Sequence, residues 1–383
     1  MGLADTHQGL FLNMKNRFAI IGGTGTTGIK IAELLLKYTD ATVTIAARNR
    51  ERINESVKLL SEEYQTDKIF GAVADANDKE SLKKLFADID MVIVASGTAE
   101  LVEVVAQAAL DSNVDYLDIQ YSAHKIKKLK AFETEIEDRG KLFITDAGFH
   151  PGLPATLIKY SEYKWGNIRS AIVYSVLKQD WRGLDIRMET KIEFVKELVD
   201  YDPYFYSKGK WKKASMLSTK DFKEVDFGEH IGEQNCIPMN FEELKIVAEQ
   251  LPNLEETGFY IAGFNRFIDM VLLPFIMVWM KMFNKFGIKS IARLMFRSLK
   301  KNSKPPFRTI LQMEARNTDN EKFGLRLSHE DGYWFTAIPV AACLKQYMNG
   351  ALPDSGLYCM GNIVEPQQII ADMKMMGITI EEL

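Results

Sequence analysis

Short apolar runs separated by helical patterns fill the first 145 residues of the chain. The runs fall at 18–21 (FAII), 41–46 (ATVTIA), 69–75 (IFGAVAD), 91–95 (MVIVA), 114–119 (VDYLDI) and 142–145 (LFIT). The stretches between them, such as IKIAELLL at 29–36, carry the spacing of helices. Strand and helix alternate roughly every 20–30 residues, the pattern of an α/β, Rossmann-type doubly wound parallel sheet. Beyond residue 150 the pattern changes. SAIVYSVL at 170–177 reads as a strand, and 189–199 as a helix stopped near Asp202 and Pro203. Residues 207–235 are polar and read as loop. Residues 309–316 and 322–328 read as paired strands turning at NTDN, and 333–348 as an apolar helix packing back on the parallel sheet.

The first strand runs directly into GGTGTTG at 22–28. Gly23, Gly25 and Gly28, with Thr24, Thr26 and Thr27 between them, satisfy the dinucleotide fingerprint. One glycine permits the tight turn, one lets backbone approach a pyrophosphate, and the last lets helix and strand pack closely. Free N–H groups at the helix start attract the anion. The second strand ends in Ala47-Arg48-Asn49-Arg50, where an NAD-preferring fold usually places an acidic residue for the ribose 2′-hydroxyl. The Arg48 guanidinium suits a 2′-phosphate instead, so NADP is expected over NAD. Asp75 stands where it could reach the adenine amino group or cap the following helix. Ser96 and Gly97, after the fourth strand, are small enough to admit the nicotinamide ribose.

The polar groups that follow the fifth and sixth strands would face that end of a bound dinucleotide: Asp118, Gln120, Tyr121, Asp146 and His150. Asp118, Tyr121 and His150 are the candidates for proton transfer, His150 first, because an unperturbed imidazole titrates near neutral pH. The alternative is that they only hydrogen-bond loops at the sheet edge.

A net charge of −4 leaves no basic excess for nucleic acid as a main partner. Cys236, Cys343 and Cys359 are widely spaced, without CxxC, and indicate neither a disulfide framework nor a metal site. They read as reduced, semi-buried residues of a cytoplasmic protein. Residues 1–14 lack the regions of a signal peptide and read as a flexible lead-in, and their formal match to a myristoylation pattern is short enough to be accidental.

One stretch stands apart. Residues 270–308 begin MVLLPFIMVWM, too short to span a bilayer, and then carry nine basic residues and no acidic one. Lys281, Lys285, Lys289, Arg293 and Arg297 fall four apart, along one drifting helical stripe. Three readings stand: a helix in a membrane interface against anionic lipid, a lid over an acidic or phosphorylated ligand, or helices packed on the second domain or a dimer partner. The loop 178–184, with Trp181, two cations and Gly183, reads as a lip for a carboxylate-bearing substrate or as an exposed turn.

Taken with VTIAARNRERI, YLDIQY, ITDAGFHPGLPATL, SHEDGYWFTAIPVAACLKQYMNG and GLYCMGNIVEP, the glycine turn resembles the saccharopine dehydrogenase-like oxidoreductases, a family that includes saccharopine reductase and carboxynorspermidine dehydrogenase. The resemblance implies NAD(P)-dependent hydride transfer to or from a C=N bond of a small, amino-acid-like substrate. It also implies a Rossmann domain over 15–150, an inserted α+β domain over 151–330 that supplies the substrate cleft and a homodimer surface, and a return of 331–383 to the Rossmann domain. Where members acting on saccharopine carry Asp-Pro-Gly followed by acidic and histidine residues, this chain has His150-Pro151-Gly152-Leu153-Pro154-Ala155, so the resemblance does not carry saccharopine over as substrate. Two other readings are a reductase of lipid or polyketide C=C bonds at a membrane surface, and a non-catalytic NADP-sensing or scaffold protein.

Overall fold

The six apolar runs become six strands of one sheet in the computed structural model. It describes residues 15–383 apart from 98, 185, 187, 200–201, 216–218, 265–267 and 284–286. The lead-in at 1–14, Lys285 and Phe286 therefore lie outside the described residues. In chain order the first half runs β1 (Arg17–Ile21), α1 (Thr26–Tyr38), β2 (Thr42–Ala47), α2 (Arg50–Tyr64), β3 (Ile69–Val73), α3 (Lys79–Phe86), β4 (Met91–Val94), α4 (Val102–Asp111), β5 (Asp115–Asp118), α5 (Ala123–Lys130), α6 (Glu133–Asp138) and β6 (Leu142–Thr145). Residues 91–94, 115–118 and 142–145 are buried throughout, because helices cover both faces of the sheet.

The second half runs α7 (Leu153–Trp165), β7 (Ile168–Lys178), α8 (Met188–Val199), β8 (Tyr204–Ser207), β9 (Lys210–Lys213), β10 (Lys223–Asp226), β11 (Glu233–Met239), α9 (Glu242–Gln250), β12 (Glu256–Ala262), α10 (Leu273–Phe283), α11 (Ile288–Lys301), β13 (Arg308–Asn317), β14 (Lys322–His329), α12 (Gly332–Met348), β15 (Gly356–Cys359), α13 (Met360–Ile363), α14 (Pro366–Met375) and β16 (Thr379–Glu382). The stretch 207–235, expected as loop, instead carries β9, β10 and the start of β11. Their residues are polar because these strands are short and largely exposed.

The parallel sheet has the order β15-β6-β5-β4-β1-β2-β3. Its strand order reverses between β1 and β4, which opens the ligand crevice beyond their carboxyl ends. The mixed sheet runs β10-β11-β12-β7-β13-β14-β16, with β8 pairing with β12 and β9 with β8. One apolar core reaches from Ile20 and Leu35 in the first unit to Val173, Leu311 and Leu327 in the second. The helix α12 is apolar nearly all round and is buried accordingly, packed against α1 and the mixed sheet. The helices α8, α10 and α11 form a third, smaller core around Val195, Ile276, Ile291 and Phe296. Among the described residues no helix is long and apolar enough to cross a membrane.

Candidate active site

The cofactor end of the crevice is built by backbone. Helix α1 starts at Gly25 with no side-chain cap and no acidic residue in its first turn, so its first N–H groups have no partner within the helix. A Cβ on Gly28 would lie 2.4 Å from the Gly22 carbonyl oxygen, so only glycine lets α1 sit this close to the turn. Gly23 and Gly28 are buried, while Thr24, Gly25, Thr26 and Thr27 have solvent-accessible surface along the turn. A pyrophosphate fits this uncapped, acid-free helix start.

Arg48 stands one residue beyond β2, exposed, with no acidic partner among the described residues. Its neighbour Asn49 caps α2, accepting from the Arg52 N–H at 2.9 Å. Asp75 turns back on its own loop, where Oδ1 accepts from the Asn77 backbone N–H at 3.0 Å. Asp78 caps α3 instead, so the capping role expected as one alternative for Asp75 belongs to its neighbour. Ser96 and Gly97 follow β4 at the crevice, and the Gln120 amide donates to the Ser96 carbonyl. Arg48→Ser is expected to weaken NADPH binding about 10- to 100-fold and leave NADH binding nearly unchanged, because only the 2′-phosphate loses a charged partner. Separate fluorescence titrations with the two cofactors check this.

Beneath the crevice floor lies a buried ionic cluster. Ser122 caps α5, and Lys125 in its first turn points back toward the strand ends. Its Nζ donates to Asp118 Oδ1 at 2.5 Å, to Asp146 Oδ1 at 2.8 Å and to the Gln120 carbonyl. Asp118 also accepts from Tyr116 Oη at 2.9 Å and from the Thr145 hydroxyl at 3.0 Å. All the carboxylate oxygens of Asp118 are thus engaged, and the residue holds Lys125 rather than facing the crevice. Burial alone would lower the Lys125 pKa, but Asp118 and then Asp146 overcome it and raise the pKa. One cation serves two carboxylates. Burial and Asp118 consequently push Asp146 up to about 6 against the pull of Lys125. Asp146 sits at φ 56°, a left-handed conformation that an aspartate tolerates better than most residues.

The opposite wall comes from the second unit. The Tyr121 hydroxyl donates to the Asn240 carbonyl at 3.4 Å, and its ring meets Phe241 edge-on at 5.4 Å. His150 lies against Phe149 at 3.7 Å and Phe259 at 5.4 Å between ring centroids. It keeps some exposed surface, but its Nε2 is shielded and has no hydrogen-bond partner among the described residues. Burial lowers its pKa to about 4, so the imidazole is neutral at pH 7. The expected near-neutral titration is therefore displaced by desolvation.

Gly152, at φ 119°, opens α7 where no side chain could cap it, and a Cβ there would lie 2.6 Å from the Gly148 carbonyl oxygen. The cap comes from another helix: Glu243 of α9 accepts from the Gly152 N–H at 2.9 Å. Burial pushes the Glu243 carboxyl up to about 8 despite that bond. Asp146 Oδ2, His150 Nε2, Asn240 Oδ1, Glu243 Oε2 and Asn362 Oδ1 are all buried without a partner among the described residues. They lie on the segments where the two units meet, which the Tyr121–Asn240 and Lys130–Glu242 bonds tie together. By contrast, the loop 178–184 is committed elsewhere. Trp181 packs on Phe194 and Phe296, and Arg182 pairs with Asp180 at 2.8 Å.

The parallel sheet with its switch point and glycine turn defines a dinucleotide-binding unit, and the domain matched below makes it that of an NAD(P)-dependent oxidoreductase. Residues 18–142 match the saccharopine dehydrogenase NADP-binding domain, so this part of the chain is an NADP-binding domain of that kind and the cofactor is NADP. The structure is similar to the apo, histidine-tagged saccharopine dehydrogenase (L-Glu forming) from Saccharomyces cerevisiae. The two are 14% identical, the match covers 96% of this chain and 100% of that one, and the TM-score is 0.65. This likeness shows a shared fold. A dipicolinate-bound dihydrodipicolinate reductase from Paenisporosarcina sp. TG-14 is 12% identical, covering 92% of this chain and 100% of that one, and its TM-score of 0.45 is too slight to bear on the site. No curated protein matches the sequence.

Proposed function

We propose that the chain transfers a hydride between NADP and the C=N bond of a small substrate held in the cleft between the two units. The observation that carries this is the set of buried polar atoms without a partner among the described residues: Asp146 Oδ2 and His150 Nε2 after β6, Asn240 Oδ1 after β11, Glu243 Oε2 on α9 and Asn362 Oδ1 on α13. Burying such groups without partners is costly, and they are matched when a polar substrate enters. NADPH, when bound, supplies the hydride. The chain's own residues do the rest. The turn at 22–28 and Arg48 hold the two phosphate groups. Lys125 fixes Gln120, and Gln120 fixes the loop at Ser96. Phe149, Phe241 and Phe259 exclude water. An imine carbon that takes a hydride leaves its nitrogen needing a proton. In this reading the Tyr121 hydroxyl gives that proton and the neutral His150 imidazole, too weak an acid to give one, orients the substrate by a hydrogen bond, while Asp118 acts through Lys125. Asp75 completes the adenine end. In the same reading the protein works in the cytoplasm as a homodimer, peripheral to the membrane.

The test combines His150→Phe with Tyr121→Phe. Turnover of small cyclic imines with NADPH should fall at least about 100-fold, while NADPH affinity changes less than about twofold. Unchanged turnover overturns the assignment of these groups. A wild-type protein that binds NADPH but reduces only long-chain enones supports the lipid C=C reading, which the exposed apolar helix below favours. One that binds NADPH and reduces nothing supports the sensor reading.

A further inference from the structure

The small unit of α8, α10 and α11 has a core of its own, and α10 has two apolar faces. Leu272, in the turn that leads into α10, and Ile276 are buried in that core, with Trp279 packed against it. Val271, in the turn that leads into α10, and Phe275, Val278 and Met282 of α10 itself recur at the spacing of one helical stripe, away from that core. They are 56%, 49%, 58% and 69% exposed. This is the reverse of an ordinary surface helix, whose outer face is polar. Helix α11 divides differently. Ile291, Met295, Phe296 and Leu299 are buried, while Lys289, Arg293, Arg297 and Lys301 stand four apart on its exposed side. None of these four has an acidic partner among the described residues.

We propose that this unit seats the protein on the surface of a bilayer that carries anionic headgroups. The apolar stripe of α10 would enter the boundary between headgroups and acyl chains, with the α11 cations at the level of the phosphates. A surface-lying amphipathic helix needs both features. Charge decides against the simplest protein occupant. A two-fold contact with a second copy would bring together two segments, each with nine cations between 270 and 308 and no acidic residue. An anionic bilayer reverses that repulsion. Since α10 is too short to span the bilayer, the attachment is peripheral and reversible.

The full-length protein is sedimented with vesicles of phosphatidylcholine alone and of equal parts phosphatidylcholine and phosphatidylglycerol. It should partition onto the anionic vesicles at least about 10-fold more strongly and be released by high salt. The combined Phe275→Ser, Val278→Ser, Met282→Ser variant should lose partitioning while keeping NADPH affinity, which reports that the fold is intact. The combined Lys289→Glu, Arg293→Glu, Arg297→Glu, Lys301→Glu variant should lose the preference for anionic vesicles. Failure of the wild type to sediment, equal and salt-insensitive binding to both vesicles, or undiminished binding by the serine variant would each overturn the proposal. Light scattering covers the remaining alternative. A wild-type dimer that the serine variant converts to monomer, without vesicle binding by either, would make the stripe a subunit contact and overturn it as well.

Discussion

Gly28→Ala is expected to abolish NADPH binding. The added Cβ would meet the Gly22 carbonyl oxygen at 2.4 Å, the carbonyl carbon at 2.9 Å and Gly23 Cα at 2.9 Å. All three are backbone atoms of the turn proposed to cradle the pyrophosphate, and none belongs to a side chain that could rotate away. Relief requires α1 to move off the turn, which separates the helix N–H groups from the anion they serve. Titration should show a dissociation constant raised at least about 100-fold, near 3 kcal/mol. Secondary structure should be retained, since α1 still packs on α12. Normal NADPH binding by this variant would mean that the phosphates lie away from this turn.

Lys125→Met should cause the largest loss of stability of any single change considered. It leaves Asp118 and Asp146 buried beside each other with no cation. Removing one partner of such a group costs about 3–5 kcal/mol. The sign of the pH dependence follows from Asp146. Its folded pKa, about 6, already lies above the ordinary carboxylate value, so its protonated form is the one that suits the fold. Its contribution is fully present below the unfolded pKa and is lost as pH rises through the folded one. Without Lys125 the folded pKa rises further. The variant should therefore lie closest to the wild type near pH 4 and fall progressively below it through pH 6 and above. Urea midpoints across that range test this, and a deficit independent of pH would show that lost packing, not charge, is responsible.

The parallel sheet was legible because strands covered on both faces must be apolar throughout, and such runs survive in the sequence as FAII, MVIV and LFIT. Strands β11 (EQNCIPM) and β12 (ETGFYIA) were not, because polar residues open both and blur the alternation. The cofactor end of the site was legible for a related reason. It is made of backbone and glycine, so its sequence can hardly vary. Lys125 and Glu243 were missed because each looks like one charge among several on a surface helix. Their phase was the available signal: Lys125 shares the buried side of α5 with Ile126 and Leu129, and Glu243 that of α9 with Leu244 and Val247. A charge in the apolar phase of an amphipathic helix must have a buried partner. His150 shows the converse. Its position could be read from the chain, but its protonation state depends on Phe149 and Phe259, one of them far away in sequence.

Strand β15 is the outer neighbour of β6, and β16 the outer neighbour of β14. Residues 356–382 thus finish both sheets at once. A nascent chain that stops short of residue 356 has two raw edges, each a row of unpaired N–H and C=O groups able to recruit foreign strands. During synthesis neither half can shield itself ahead of the other. Ribosomal stalling or premature termination late in the message would therefore release a doubly adhesive product rather than one sound domain with a ragged end.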